Sequence, residues 1–151
     1  MVASGGSLTN QQQNDRPIQP EDILQFIAQA LYLKKGVDIV ALDVSELVYY
    51  TDFFLICSGR SDVHVKGLYR HVEKELGRRG ISPLIVEGED HCRWVLMDFG
   101  PVIVHIFYEP LRDLYELEKL WADGKPVPID FSSLPQPEPE NAPEDLLTDF
   151  D

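Results

Sequence analysis

Residues 52–88, DFFLICSGRSDVHVKGLYRHVEKELGRRGISPLIVEG, carry three patterns in succession. Residues 52–59 are almost continuously apolar, as expected of a strand buried on both faces near the centre of a sheet. Ser61 is placed to cap a helix whose inward positions are Val65, Leu68, Val72 and Leu76, with Gly80 as its stop. Residues 83–88, PLIVEG, return as a strand. Strand, helix and strand in this order predict a right-handed parallel crossover, and hence an α/β sheet.

Working outward, Pro20-Glu21-Asp22 opens an earlier helix and Lys34-Lys35-Gly36 closes it, with Leu24, Ile27 and Leu31 inward and Ile23 beside them. VDIVALDV (37–44) alternates as a strand. Downstream, RWVLMD and VIVHIF are separated by Phe99-Gly100-Pro101, where glycine supplies a left-handed conformation and proline begins a strand without losing an essential bond. The letters DFG at 98–100 therefore read as hairpin punctuation, since no Gly-rich loop, strand lysine or catalytic loop of a kinase accompanies them. Pro110 begins a last helix, with Leu114, Leu117 and Trp121 on one stripe and Gly124 at its end. The expectation is one α/β domain at 20–124: a five-stranded sheet, partly parallel and partly antiparallel, flanked by helices. Residues 1–19 read as disordered, and so does an acidic, proline-rich tail at 125–151.

The formal net charge of −13 opposes contact with phosphate, because nucleic-acid affinity comes mainly from Lys and Arg displacing counterions. Little direct nucleic-acid contact is expected, and a basic protein is the electrostatically suited partner. No apolar run is long enough to span a membrane and no secretory signal is evident, so a soluble, cytoplasmic protein is expected. Cys57 and Cys92 are too few and too far apart for a zinc knuckle.

Several residues invite a chemical reading. EGEDHC (87–92) offers carboxylates, His91 and Cys92 to a metal, although a polar surface loop has the same composition. His64 and His71 stand two helical turns apart, too far for one ion. His105, inside a strand, is expected to be held by a hydrogen bond. CSGRSDVH places Ser58, Gly59, Arg60 and Ser61 between a buried strand and a helix N-terminus, where a phosphate could sit. It lacks the repeated glycines of a dinucleotide fingerprint and the Gly-Lys-Ser of a P-loop. Asp52 or Asp98 would have to hold magnesium for such a site to work as an enzyme, and each stands alone in sequence. Trp94 among polar neighbours and Phe99 at a hairpin tip instead suggest exposed aromatic anchors for a protein partner, the alternative being that both tuck into the core.

ALDVSELVYYTDFFLICSGRSDVHV, VEG, WVLMDFGPVIVHIF and RDLYELEKLW together resemble the Iojap family, the ribosomal silencing factors called RsfS, over residues 20–123. The resemblance implies a nucleotidyltransferase-like topology without catalysis, cofactor or metal. It implies binding to the large-subunit ribosomal protein L-fourteen on the 50S subunit, blocked subunit joining, repressed translation and a homodimer in isolation. The implied contact surface maps to Trp94 and Phe99, and the expected docking patch has these two as anchors surrounded by Met97 and Pro101. Further family-pattern positions are Asp52, Ser58, Ser61, Glu87, Gly88, Asp98, His105, Arg112, Tyr115, Glu118 and Trp121. Arg112 and Glu118 are expected to bridge elements or to meet a second copy. Two other readings stay open: a nucleotide-binding enzyme using Ser58, Gly59 and Ser61, and an adaptor for large-subunit assembly.

Overall fold

The computed structural model describes residues 17–116, 119 and 122–135. Helix α1 (Pro20–Leu33) is followed by β1 (Val37–Asp43), β2 (Phe53–Gly59), α2 (Asp62–Gly77), β3 (Ile85–Glu87), β4 (Trp94–Asp98), β5 (Val102–Tyr108), α3 (Glu109–Tyr115) and β6 (Lys125–Pro126). The mixed α/β architecture agrees with the sequence expectation. The sheet has six strands in the order β3-β4-β5-β2-β1-β6, one more than expected.

β2 lies in the middle and is buried along its whole length, as its apolar run requires. It pairs in parallel with β5, Phe53 opposite Val102 and Gly59 opposite Tyr108, and antiparallel with β1. β4 runs antiparallel to both β5 and β3, so β3 points the same way as β2. The crossover from β2 through α2 thus ends on a parallel strand, but at the sheet's edge. β5, another continuous apolar run, takes the central place beside β2; the short, half-exposed β3 suits an edge.

Both long helices cover one face of the sheet. Ser61 caps α2 by accepting from His64 N–H at 3.0 Å, and Ile81 N–H closes its end on Leu76 O at 2.9 Å. Leu24, Ile27 and Leu31 of α1 and Val65, Leu68, Val72 and Leu76 of α2 form one core with Phe53, Leu55, Cys57, Val95, Met97, Val102, Val104 and Ile106. Strand alternation sends the intervening residues to the other face. There Leu42, Phe54, Ile56, Ile103 and Phe107 form a smaller cluster with Val44, joined by Trp94, Leu96 and Leu111.

Two expectations about the C-terminal part change. On α3 the inward residues are Leu111 and Arg112, while Leu114 is 71% exposed. Extrapolating one stripe from 114 to 121 presumes a continuous helix, but Glu116 adopts a left-handed conformation (φ 51°) after only seven helical residues. Leu117, Glu118 and Trp121 lie outside the described residues.

Residues 125–135, read from the sequence as the start of a tail, pack on the domain. Leu42 and Asp43 of β1 pair with Pro126 and Lys125, and Val127 N–H donates to Ala41 O at 2.9 Å. Val127, Ile129 and Phe131 then pack on the main core, and the Phe131 ring stacks on Tyr32 at 4.5 Å. Three apolar residues at alternate positions among prolines carry too weak a pattern to stand out from composition.

Candidate docking face

The loop between β3 and β4 fixes where β4 begins. Gly88 has φ +87°, and a Cβ there would lie 2.0 Å from the Trp94 carbonyl oxygen, so only glycine allows this approach. Cys92 N–H closes the turn onto Gly88 O at 3.0 Å. The result seats Trp94 at the start of β4, opposite Phe107 of β5.

Trp94 joins an aromatic group on the face away from α1 and α2. Its ring stacks on Phe107 at 5.0 Å and meets Tyr115 of α3 at 4.6 Å. Its indole N–H donates to His105 Nδ1 at 3.1 Å. Because indole only donates, Nδ1 must accept, and the neutral ring carries its proton on Nε2. Burial pulls the His105 pKa down to about 4, which keeps the ring neutral. The expected hydrogen bond is present, and His105 supports Trp94 from beneath.

Outward from Trp94, the pairing of Ile85 with Asp98 and of Glu87 with Leu96 places all four residues on this same face. Ile85 is 49% exposed, Leu96 and Trp94 are half-buried and Tyr115 is exposed. The β3–β4 side therefore presents an apolar centre of Ile85, Leu96, Trp94 and Tyr115, with Glu87 and Asp98 as carboxylates beside it.

The exposure expected at the hairpin tip is not found. Met97 is 0% and Phe99 6% exposed, both in the core beneath α1 and α2. Phe99 lies five positions after Trp94, an odd offset, so the two point to opposite faces, from positions roughly 17 Å apart along the chain. Neither Met97 nor Phe99 presents an apolar surface to a partner. Pro101 is half-buried, and its carbonyl accepts from both Asp52 N–H and Phe53 N–H at 3.0 Å. Asp98 Oδ1 accepts Gly100 N–H at 2.8 Å and Gly100 has φ +93°, so the DFG letters do form a turn.

The loop that resembles a phosphate cradle is occupied by its own residues. Ser58 is buried, and its Oγ accepts from Arg112 Nη1 at 3.0 Å; the same guanidinium reaches Val37 O at 3.3 Å. Arg112 thereby ties α3 to β1 and β2. Arg60 N–H is taken by His64 Nδ1 at 2.9 Å, and His64 Nε2 lies 2.8 Å from Lys34 O, bracing α2 against the end of α1. Val63 N–H goes to Asp62 Oδ1 and Val65 N–H to Ser61 O. Asp98 ends β4 and Asp52 stands just before β2, with β5 between those two strands. Among the described residues no group of three or more His, Cys, Asp or Glu is arranged to hold a metal. Burial pushes the Cys57 thiol up to about 12 and raises that of Cys92, so neither is a ready nucleophile. No described helix is long and apolar enough to cross a membrane.

The sequence reading missed Ile85 and Leu96, which the two-residue period running from Trp94 and the pairing of β3 with β4 identify. It named Gly88 and Tyr115 only as pattern positions, because the seat and the flank they give Trp94 need the folded register.

The family model for RsfS, "Ribosomal silencing factor during starvation", matches residues 17–148. The chain is 40% identical over 111 residues to the ribosomal silencing factor RsfS of Bacillus subtilis, covering 74% of this chain and 94% of that one. It is 30% identical over 120 residues to the mouse protein named mitochondrial assembly of ribosomal large subunit protein 1, covering 75% of this chain and 53% of the relative. A crystal structure of a Chromobacterium violaceum protein superposes with a TM-score of 0.68 at 32% identity, covering 77% of this chain and 98% of that chain. With fold and sequence agreeing over most of its length, the chain belongs to the RsfS family of ribosomal silencing factors.

Proposed function

We propose that this protein represses translation as a steric factor. It binds a basic large-subunit ribosomal protein, L-fourteen, through the Trp94 face and keeps the small subunit from joining. The observation that carries the reading is the half-uncovered β3–β4 face, where Trp94, Leu96, Ile85 and Tyr115 form an aromatic and aliphatic centre beside Glu87 and Asp98. Large rigid aromatics dominate interface energetics, and carboxylates beside them suit a cationic partner while repelling bare RNA. The family model and the Bacillus subtilis relative carry the name of silencing factors, in keeping with a mechanism that makes and breaks no bond. A homodimer of the isolated protein belongs to the same proposal, and sedimentation equilibrium reads it.

The test is the affinity of purified L-fourteen for two variants. Trp94→Ala removes the central anchor and is expected to weaken binding by about 2 kcal/mol or more. Because Trp94 also packs on His105 and Phe107, Ile85→Lys serves as the second variant: its side chain is half-exposed, so folding tolerates it, and it sets a like charge against the partner. It is expected to weaken binding about tenfold. Full affinity in both folded variants would move the interface elsewhere. The mouse relative's name favours a second reading, an assembly role on the large subunit. Sedimentation of precursor particles separates the two, since an assembly factor changes their profile before any small subunit is added.

A further inference from the structure

The loop between β1 and β2 displays two aromatic side chains that nothing in the Trp94 face explains. Val44 is fully buried in the same cluster as Trp94, Leu96 and Phe107, and Val48 packs against it, so the loop is rooted on that side of the sheet. Val44 N–H donates to Asp52 O at 2.9 Å, closing the loop, while Leu47 N–H and Val48 N–H both donate to Val44 O. Thr51 is buried beside the closure. From this braced base Tyr49 projects with 99% exposure and Tyr50 with 51%, their rings edge to face at 5.8 Å, next to an exposed Leu47. The apolar surface of these rings is left in water by a loop whose base is closed by backbone hydrogen bonds.

Carboxylates surround the base of the loop. Asp43, Ser45 and Asp52 flank it and, together with Glu21 at the start of α1, line an open hollow of about 290 Å³. Glu46 lies on the loop itself, and Lys125 approaches it at 3.7 Å with both side chains well exposed. The chain's own lysine thus already sits at one of these carboxylates.

We propose that the Tyr49–Tyr50 loop is a second docking site, distinct from the Trp94 face, that takes a Lys- or Arg-rich segment of a protein. Cationic side chains would lie over the tyrosine rings and reach the carboxylates of Glu21, Asp43, Glu46 and Asp52. Guanidinium suits this arrangement especially, because it stacks on an aromatic face and pairs with carboxylate in the same pose. The rings alone could equally stack nucleobases, but the carboxylates would repel the phosphates that come with them. A second copy of the chain brings a net charge of −13 to the same acidic place.

The test uses the full chain and a fluorescein-labelled oligo-arginine peptide at physiological ionic strength, read by anisotropy. Tyr49→Ser combined with Tyr50→Ser leaves the net charge unchanged and alters only exposed rings, so unfolding should not move. The double variant is expected to bind the peptide about fivefold or more weakly than the natural chain. Unchanged affinity would mean that the peptide follows overall charge, and it would overturn the proposal. So would tighter binding of a labelled oligo-uridylate that the variant loses, or a tyrosine-dependent self-association in sedimentation. Ile85→Lys, titrated alongside with the same peptide, reads any share of it held on the Trp94 face, so the site stands or falls separately from the proposed silencing contact.

Discussion

Gly88→Ala is expected to destabilise the protein by about 4 kcal/mol. Two penalties coincide at this position. The backbone lies at φ +87°, which costs an L-residue roughly 1–2 kcal/mol. The new methyl would also stand 2.0 Å from the Trp94 carbonyl oxygen and 3.0 Å from its carbon, a clash with backbone that no side-chain rotation relieves. Relief requires β3 and β4 to part, which unseats Trp94 as well. Gly80→Ala is the natural control: φ is +76° there, but nothing lies within 4 Å of the added carbon, so only the conformational penalty of about 1 kcal/mol applies. Urea unfolding of both variants checks this. Equal losses would mean that the β3–β4 loop yields and that the close approach to Trp94 is not what fixes the turn.

Acid should weaken the fold through His105 before carboxylates dominate. In the unfolded chain the imidazole takes a proton below its ordinary 6.5, whereas in the folded protein it stays neutral down to about 4. Between those values the unfolded state binds more protons, so stability is full above pH 6.5, falls as the pH drops and levels off below 4. The loss amounts to about 3 kcal/mol across the window. Geometry gives the same direction: Nδ1 accepts the Trp94 indole N–H, and a proton there would eject its partner. Burial pulls the His71 pKa down too, so the measurement compares unfolding at pH 7 and pH 4.5 with that of His105→Gln, which can still accept from the indole but does not titrate. The natural protein should lose more than the variant over this range. Equal pH dependence in the two proteins would place the histidine outside the linkage.

How much of this was legible beforehand follows from the range of each signal. The apolar run at 53–59 fixed a central strand, and Ser61 with Val65, Leu68, Val72 and Leu76 fixed a capped helix, because each rests on neighbours within a few turns. The place of β3 was not legible, since whether a crossover ends beside its first strand depends on β4 and β5 competing for the centre. Phe99 was misjudged from its position at a turn; counting from Trp94 along β4 would have put the two on opposite faces. Arg112 was left between bridging elements and meeting a second copy; it bonds Ser58 and Val37, 54 and 75 residues away, and nothing local identifies those partners. Val127, Ile129 and Phe131 escaped notice because short alternation inside a proline-rich stretch is outweighed by composition.

Central to the account is that the protein works as a wedge, and subunit joining followed by light scattering tests this most directly. Large subunits saturated with the natural chain should fail to pair with added small subunits, and the Ile85→Lys variant should need about ten times the concentration for the same block. If large subunits carrying the bound protein couple with small subunits at the ordinary rate and extent, the wedge is contradicted.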